Sequence, residues 1–155
     1  SLLQSRLLAE HDAFYHLVRR SLSILHLALS TEPEERLYLD GASYVVTQPE
    51  FSRHPHRAHE LLKGLEAQAA LLDGVRDDLA TDGICVRIGE EIEISGLEGC
   101  SYLTAPVAMG QDRIGGIGIV GPMRMDYRRM RALVEAMSQC LTEVLKSWED
   151  RAANG

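Results

Sequence analysis

From Leu2 to Ser30 the apolar residues Leu7, Leu8, Phe14, Leu17, Val18, Leu22, Leu25 and Leu29 recur at threes and fours, with Arg6, Glu10, Arg19 and Arg20 between them. This spacing predicts an amphipathic helix, with room for one break. Thr31-Glu32-Pro33 stops it, because proline has no N–H to continue the helical ladder and pushes Glu32 toward extended backbone. Arg36-Leu37-Tyr38-Leu39-Asp40 alternates as a strand would, and Gly41 ends it. Gln48-Pro49-Glu50 and His54-Pro55 punctuate a loop. Helical spacing then returns at Leu61, Leu62, Leu65, Ala69, Leu72, Val75 and Leu79, predicting a second long helix from about His56 to Leu79.

Thr81-Asp82-Gly83 breaks that helix, and the β-branched run Ile84 to Ile88 reads as a strand ending at Gly89. Tyr102 to Val107 and Ile114 to Val120 predict two more strands, joined through a turn at Gly110-Gln111-Asp112. A link this short requires an antiparallel pair. Asp126 is placed to cap a last helix whose inner face is Met130, Leu133, Val134, Met137, Leu141, Val144, Leu145 and Trp148. The order of elements predicts an α+β domain, an antiparallel sheet covered by helices on one face and preceded by a long amphipathic helix.

With 155 residues, 45% of them apolar and 25% charged, the composition is that of an ordinary globular domain. Sixteen Lys and Arg against 23 Asp and Glu leave a net charge of −7, which opposes nonspecific DNA binding through phosphate neutralisation. Residues 81 to 121 carry two Arg against six acids, and residues 122 to 155 six basic against five acidic groups, so the sheet region is the acidic side. Its longest apolar stretches fall well short of the roughly 20 residues a membrane span needs. The start on Ser1-Leu2-Leu3, already inside a helical pattern, reads as a cut within a longer protein. Cys85, Cys100 and Cys140 form no C-x-x-C pair, so they predict buried, unreactive thiols of a cytoplasmic protein.

Candidate chemistry is sparse. Gly116-Ile117-Gly118-Ile119-Val120-Gly121 is a literal G-x-G-x-x-G, but a dinucleotide fingerprint must follow a strand and open a helix. Here the run lies inside a predicted strand, Gly121 at its end is expected to take an unusual backbone angle, and Pro122 fixes the exit before the helix. His54, His56 and His59 have metal-like spacing but lack a further ligand, and Arg53 and Arg57 beside them oppose a cation. Ser43 sits in no nucleophile elbow, Cys100-Ser101 has no base, and Glu90-Glu91-Ile92-Glu93 has no partner carboxylate. These features predict no enzyme, no metal and no cofactor. Arg124, Arg128, Arg129 and Arg131 crowd the start of the last helix, where positive charge opposes the helix dipole, and offer a surface for an acidic partner.

At this strand-to-helix junction the string GPMRMDY, Gly121 to Tyr127, resembles the C-terminal signature GPTRMDY of the bacterial heat-inducible transcription repressors, the HrcA family. Three further segments agree in order. Leu37 to Ser43 with Gln48-Pro49-Glu50-Phe51 resembles the family's LYLDGAS and QPEF run, Val86 to Glu91 its VRIGEE run, and Cys100 to Ala105 its CS-x-x-TA strand. Departures fall at Met123, Tyr44 and Ile92, where the family has Thr, Asn and Asn. Sixteen residues carry the likeness, with structural or interaction roles implied: Gly41, Gln48, Pro49, Glu50, Phe51, Arg87, Gly89, Glu90, Cys100, Ser101, Gly121, Pro122, Arg124, Met125, Asp126 and Tyr127.

The resemblance implies a GAF-like regulatory domain over residues 33–155. Residues 1–32 would be the helical segment leading out of an inserted dimerising domain, and the winged-helix DNA-binding domain would lie outside this chain. It implies a homodimeric repressor of dnaK- and groE-type chaperone operons that binds an inverted-repeat operator and depends on the GroE chaperonin for its active conformation. The competing expectation is a small-molecule sensor, with Tyr38, Arg87, Tyr102 and Thr104 lining a pocket against the sheet.

Overall fold

In a computed structural model the backbone is described for residues 2–30 and 37–155, and side chains for residues 4, 11–24, 37–108, 110–112 and 114–155. The chain divides into two compact units, Ser1–Tyr38 and Leu39–Gly155. The first holds α1 (Leu2–Ser30), one continuous helix without the break the pattern allowed. Its Phe14, Val18 and Leu22 are half-buried and Leu17 is exposed. The Thr31-Glu32-Pro33 stop and Arg36 lie outside the described residues. Leu37 to Asp40 take no regular structure, so the strand expected over Arg36 to Asp40 does not form over its described part. Alternation there is a local signal, and among the described residues no strand pairs with it.

The second unit begins with two short helices, α2 (Ala42–Val46) and α3 (Pro49–Ser52). Gly41 precedes α2 with φ +83°, a left-handed conformation that glycine adopts without Cβ strain. The long helix expected from His56 to Leu79 is two, α4 (Pro55–Glu66) and α5 (Gln68–Ala80), broken at Ala67. No proline or glycine marks the break. Its cause is tertiary: a Cβ on Gly64 would lie 2.6 Å from both Leu97 Cδ1 and the Ser95 carbonyl oxygen, and one on Gly74 2.4 Å from Ile94 Cγ1. The turn lets both helices press on the loop that carries the buried Ile94 and Leu97.

Three strands follow: β1 (Cys85–Ile88), β2 (Cys100–Met109) and β3 (Asp112–Pro122), with a short 3-10 turn, Gly89–Glu91, after β1. They form an antiparallel sheet in the order β1-β2-β3, with a register shift at Val107/Ala108 near the β2–β3 turn. Register fixes the faces, since successive side chains point to opposite sides. Val86, Leu103 and Ile119 are cross-strand neighbours on one face, and Arg87, Tyr102 and Val120 on the other. The last helix, α6 (Tyr127–Ala153), covers the first face. Val134 joins Leu103 and Ala105 in a core cluster to which Val86, Ile117, Ile119, Met125 and Met130 add. Val134, Met137, Leu141 and Leu145 are its buried stripe, with Ser138 Oγ donating to the Pro106 carbonyl at 2.7 Å.

The second face is not left bare. The C-terminal turns of α5 reach it, with Leu79 lying where a Cβ on Gly116 would stand. The expected α+β class is observed, with helices on both faces of the sheet instead of one.

Candidate functional site

The strongest polar cluster sits where α5 meets β1 and β2. Leu71, Val75 and Asp78 are the buried residues of α5, so a carboxylate occupies a position that the helical repeat reserves for an apolar side chain. Cross-strand pairing sets Arg87 of β1 against Tyr102 of β2, on the face that α5 covers. Arg87 Nη2 donates to Asp78 Oδ1 at 2.6 Å and Nε to the same oxygen at 3.1 Å, while the Tyr102 hydroxyl donates to Oδ2 at 2.5 Å. Burial pushes the Asp78 carboxyl up, but bonds from Arg87, Tyr102 and Cys85 outweigh it and hold the group below its usual value. Burial and then Asp78 raise the Cys85 and Tyr102 values, so both stay protonated and donate. The Arg87 value rises with its partner, which fixes it as a cation. The cluster ties a helix to two strands through one carboxylate.

A second constellation surrounds the end of β3. Cys100 pairs with Pro122 and Ser101 with Gly121 in the β2–β3 register, and Ser101 Oγ donates to the Pro122 carbonyl at 2.9 Å. A Cβ on Gly121 would lie 2.5 Å from Met125 Cε, and one on Gly89 2.9 Å from Met123 Sδ. Gly89 has φ +58°, whereas Gly121 is absent from the positive-φ residues, so the unusual backbone angle expected at Gly121 is not its role. Gly121 supplies room for Met125. Arg124 Nε donates to Glu50 Oε1 at 2.8 Å, joining α3 to the junction. A backbone N–H and then the Arg124 guanidinium lower the Glu50 carboxyl. Asp126 Oδ1 accepts the Arg129 backbone N–H at 3.1 Å and caps α6, and the Tyr127 hydroxyl donates to the Met123 carbonyl.

Four sequence segments, far apart in the chain, thus meet at one strand-to-helix turn. Gln48 and Pro49 open α3, which turns Phe51 into the core at 3% exposure. Glu90 is exposed in the 3-10 turn, where Glu91 Oε2 accepts the Ile88 N–H at 2.8 Å. Cys100 is fully buried, and burial followed by the nearby Glu98 charge pushes its thiol up to about 11.

A family profile described as the HrcA protein C terminal domain matches residues 1–130. The chain is 35% identical over 131 residues to the heat-inducible transcription repressor HrcA of Listeria welshimeri, which covers 83% of this chain. It is 34% identical over 128 residues to the protein of the same name from Symbiobacterium thermophilum. The chain belongs to the HrcA family. It spans 37% of the length of either relative. A crystal structure of a hypothetical protein matches with a TM-score of 0.60 at 24% identity, over 79% of this chain and 36% of that one, and supports the fold alone.

In this HrcA chain the G-x-G-x-x-G run lies wholly within β3, with no helix opening at its end. His54, His56 and His59 are exposed at the start of α4, and among the described residues no three His, Cys, Asp or Glu side chains converge to hold a metal. No helix among the described residues is long and apolar enough to cross a membrane. Of the proposed pocket liners, Arg87 and Tyr102 direct their polar ends to Asp78, Thr104 keeps a buried hydroxyl without a partner, and Tyr38 belongs to the first unit. A depression of about 540 Å³ lies instead along the last turns of α6, beside Glu143, Lys146, Asp150 and Arg151. Arg128, Arg129 and Arg131 are exposed on the first turns of α6, next to the Arg124–Glu50 pair. Sequence reasoning passed over Asp78. Its signal was available: a charge three residues beyond Val75 on an apolar stripe.

Proposed function

We propose that these residues form the regulatory part of a heat-inducible transcription repressor, in which the junction around Gly121 keeps the sheet and α6 in one fixed relation. The repressor is a homodimer that shuts down dnaK- and groE-type chaperone operons. It reads an inverted-repeat operator through a winged-helix domain outside these 155 residues, and the GroE chaperonin holds its active conformation. The observation that carries this reading is the meeting of the four HrcA-like segments at one turn, through Ser101–Pro122, Gly89–Met123 and Arg124–Glu50, together with the family match. A junction built this way joins three elements by direct side-chain and backbone contacts. Its effect is on the relative stability of conformations, the quantity that a heat signal and a chaperonin both change. The net charge of −7 supports assigning operator contact elsewhere.

A gel-shift comparison tests it. The repressor chain containing these residues is expected to retard an inverted-repeat operator fragment, with added chaperonin restoring binding after a heat pulse, while the 155-residue chain gives no sequence-dependent shift. Submicromolar, sequence-dependent binding by the 155-residue chain overturns the assignment of DNA contact, and heat loss that chaperonin does not reverse overturns the chaperonin role.

A further inference from the structure

Positive charge is concentrated at one place in this acidic chain. Residues 49–60 and 121–131 carry six Arg against three acids, while the remaining residues carry ten basic against twenty acidic groups. The fold joins the two segments at Glu50, whose carboxylate takes a hydrogen bond from Arg124 and feels the charge of Arg53 through space. Arg124 engages Glu50 through Nε alone and is 72% exposed, so its two terminal nitrogens stay available. Arg53, Arg57, Arg128 and Arg131 are exposed, and among the described residues none of these four forms a salt bridge. Arg57 stands in the first turn of α4, and Arg128 and Arg131 lie near the start of α6, where a cation opposes the helix dipole. These charges therefore do not serve the helices that carry them. Met123, 48% exposed, and Ile88, 39% exposed, border the face where Met123 Sδ approaches Gly89, and the acidic turn of Glu90 and Glu91 closes it beyond.

We propose that the arginine face around Glu50, built from Arg53 and Arg57 at the α3–α4 turn and from Arg124, Arg128 and Arg131 at the start of α6, is a docking site for a short acidic segment of a protein partner. Guanidinium groups bind carboxylates with two parallel hydrogen bonds, and charges further away than the screening length of about 8 Å contribute little. The partner is therefore chosen by the size of the patch as well as by its sign. A nucleic-acid duplex carries a negative charge about every 1.7 Å of its axis and runs past the patch over the surrounding acids, which repel it. A peptide of a few residues fits inside the patch. It also carries side chains that a phosphodiester backbone lacks, so an apolar residue beside its carboxylates packs on Met123 and Ile88 while the carboxylates meet the arginines. The proposal stands on charge and exposure, and goes beyond the repressor reading.

Fluorescence anisotropy on the repressor chain containing these residues tests the proposal. The probe is a short labelled peptide of Glu, Leu and Gly, compared with its Gln counterpart and with a duplex of unrelated sequence. The variant pair Arg53→Gln with Arg128→Gln removes two charges from the face, and Lys146→Gln with Arg151→Gln removes two from the far end of α6. The Glu peptide is expected to bind and the Gln peptide not. The face pair is expected to weaken the Glu peptide on the order of 10-fold, while the far pair leaves it nearly unchanged. Urea unfolding checks that both pairs fold as the parent does, and Arg57→Gln with Arg131→Gln replaces the face pair if its midpoint falls. No binding of the Glu peptide, equal binding of the Gln peptide, or equal weakening by the two pairs overturns the site. Loss of duplex affinity in the face pair as large as the loss of peptide affinity overturns it in favour of a phosphate contact.

Discussion

Replacing Asp78 with alanine removes the one acceptor on which Arg87 and Tyr102 converge. The Tyr102 hydroxyl is in a residue 3% exposed, so it carries the cost of an unsatisfied buried donor, about 1–3 kcal/mol. Arg87 is 42% exposed at its side chain and can turn its guanidinium outward. The 3–5 kcal/mol typical of breaking a fully buried pair therefore applies only in part. Together these give a loss of about 2–4 kcal/mol for Asp78→Ala. Tyr102→Phe deletes one hydrogen bond and leaves Arg87 to satisfy the carboxylate, a loss of about 1 kcal/mol. The assay is urea unfolding followed by circular dichroism, with the double variant closing a cycle. Because both changes remove the same Tyr102–Asp78 hydrogen bond, the double variant is expected to lose at least about 0.5 kcal/mol less than the sum of the singles. At 2–4 °C per kcal/mol for a chain of this size, Tm falls by roughly 5–15 °C in Asp78→Ala. Strict additivity, or a loss from Asp78→Ala no larger than that from Tyr102→Phe, would refute the reasoning.

The same carboxylate sets an acid limb. Its folded value lies below the unfolded carboxylate's ~3.9, so its contribution is complete above that pH and is lost as pH falls through the folded value. Stability of the parent chain measured below about pH 4 is expected to fall more steeply than that of Asp78→Asn, and parallel curves would contradict the assignment. Two glycine variants separate backbone from side-chain crowding. Gly121→Ala meets only the flexible end of Met125 and is expected to cost about 1 kcal/mol, whereas Gly96→Ala, at φ +91° with its Cβ 2.3 Å from the Glu60 carbonyl oxygen, is expected to cost at least about 3 kcal/mol or to prevent folding. Equal midpoints for the two in denaturant titration would show that the approach is not tight.

The hairpin of β2 and β3, the Asp126 cap and the buried stripe of α6 were legible because each is written in consecutive residues: turn chemistry, a capping side chain and a helical repeat. The G-x-G-x-x-G run could be placed in a strand because its isoleucines and Pro122 leave no helix to open. The break at Ala67 was not legible, since its cause is a loop about thirty residues further on, pressed against Gly64 and Gly74. Alternation over Leu37 to Asp40 misled for the converse reason, a local pattern with no strand among the described residues to pair with. The junction's residues could be named from the family likeness. Their contacts could not, because Glu50 and Arg124 are 74 positions apart. Gly121 was assigned a backbone role when its role is steric, and one-dimensional patterns do not separate the two.

The approach of α4 to the loop at Gly96 has a mechanical consequence. Where α4 meets the Ser95–Gly96 backbone, the contact is largely main chain on main chain, with the Leu97 side chain beside it, and a Cβ on either glycine would strike main-chain oxygen. A displacement of α4 therefore bears directly on the backbone of the loop, which runs on to Cys100 at the head of β2. Where most packed surfaces yield by side-chain rearrangement, this one has little side chain to rearrange, which makes it a stiffer linkage between α4 and the loop that leads to β2.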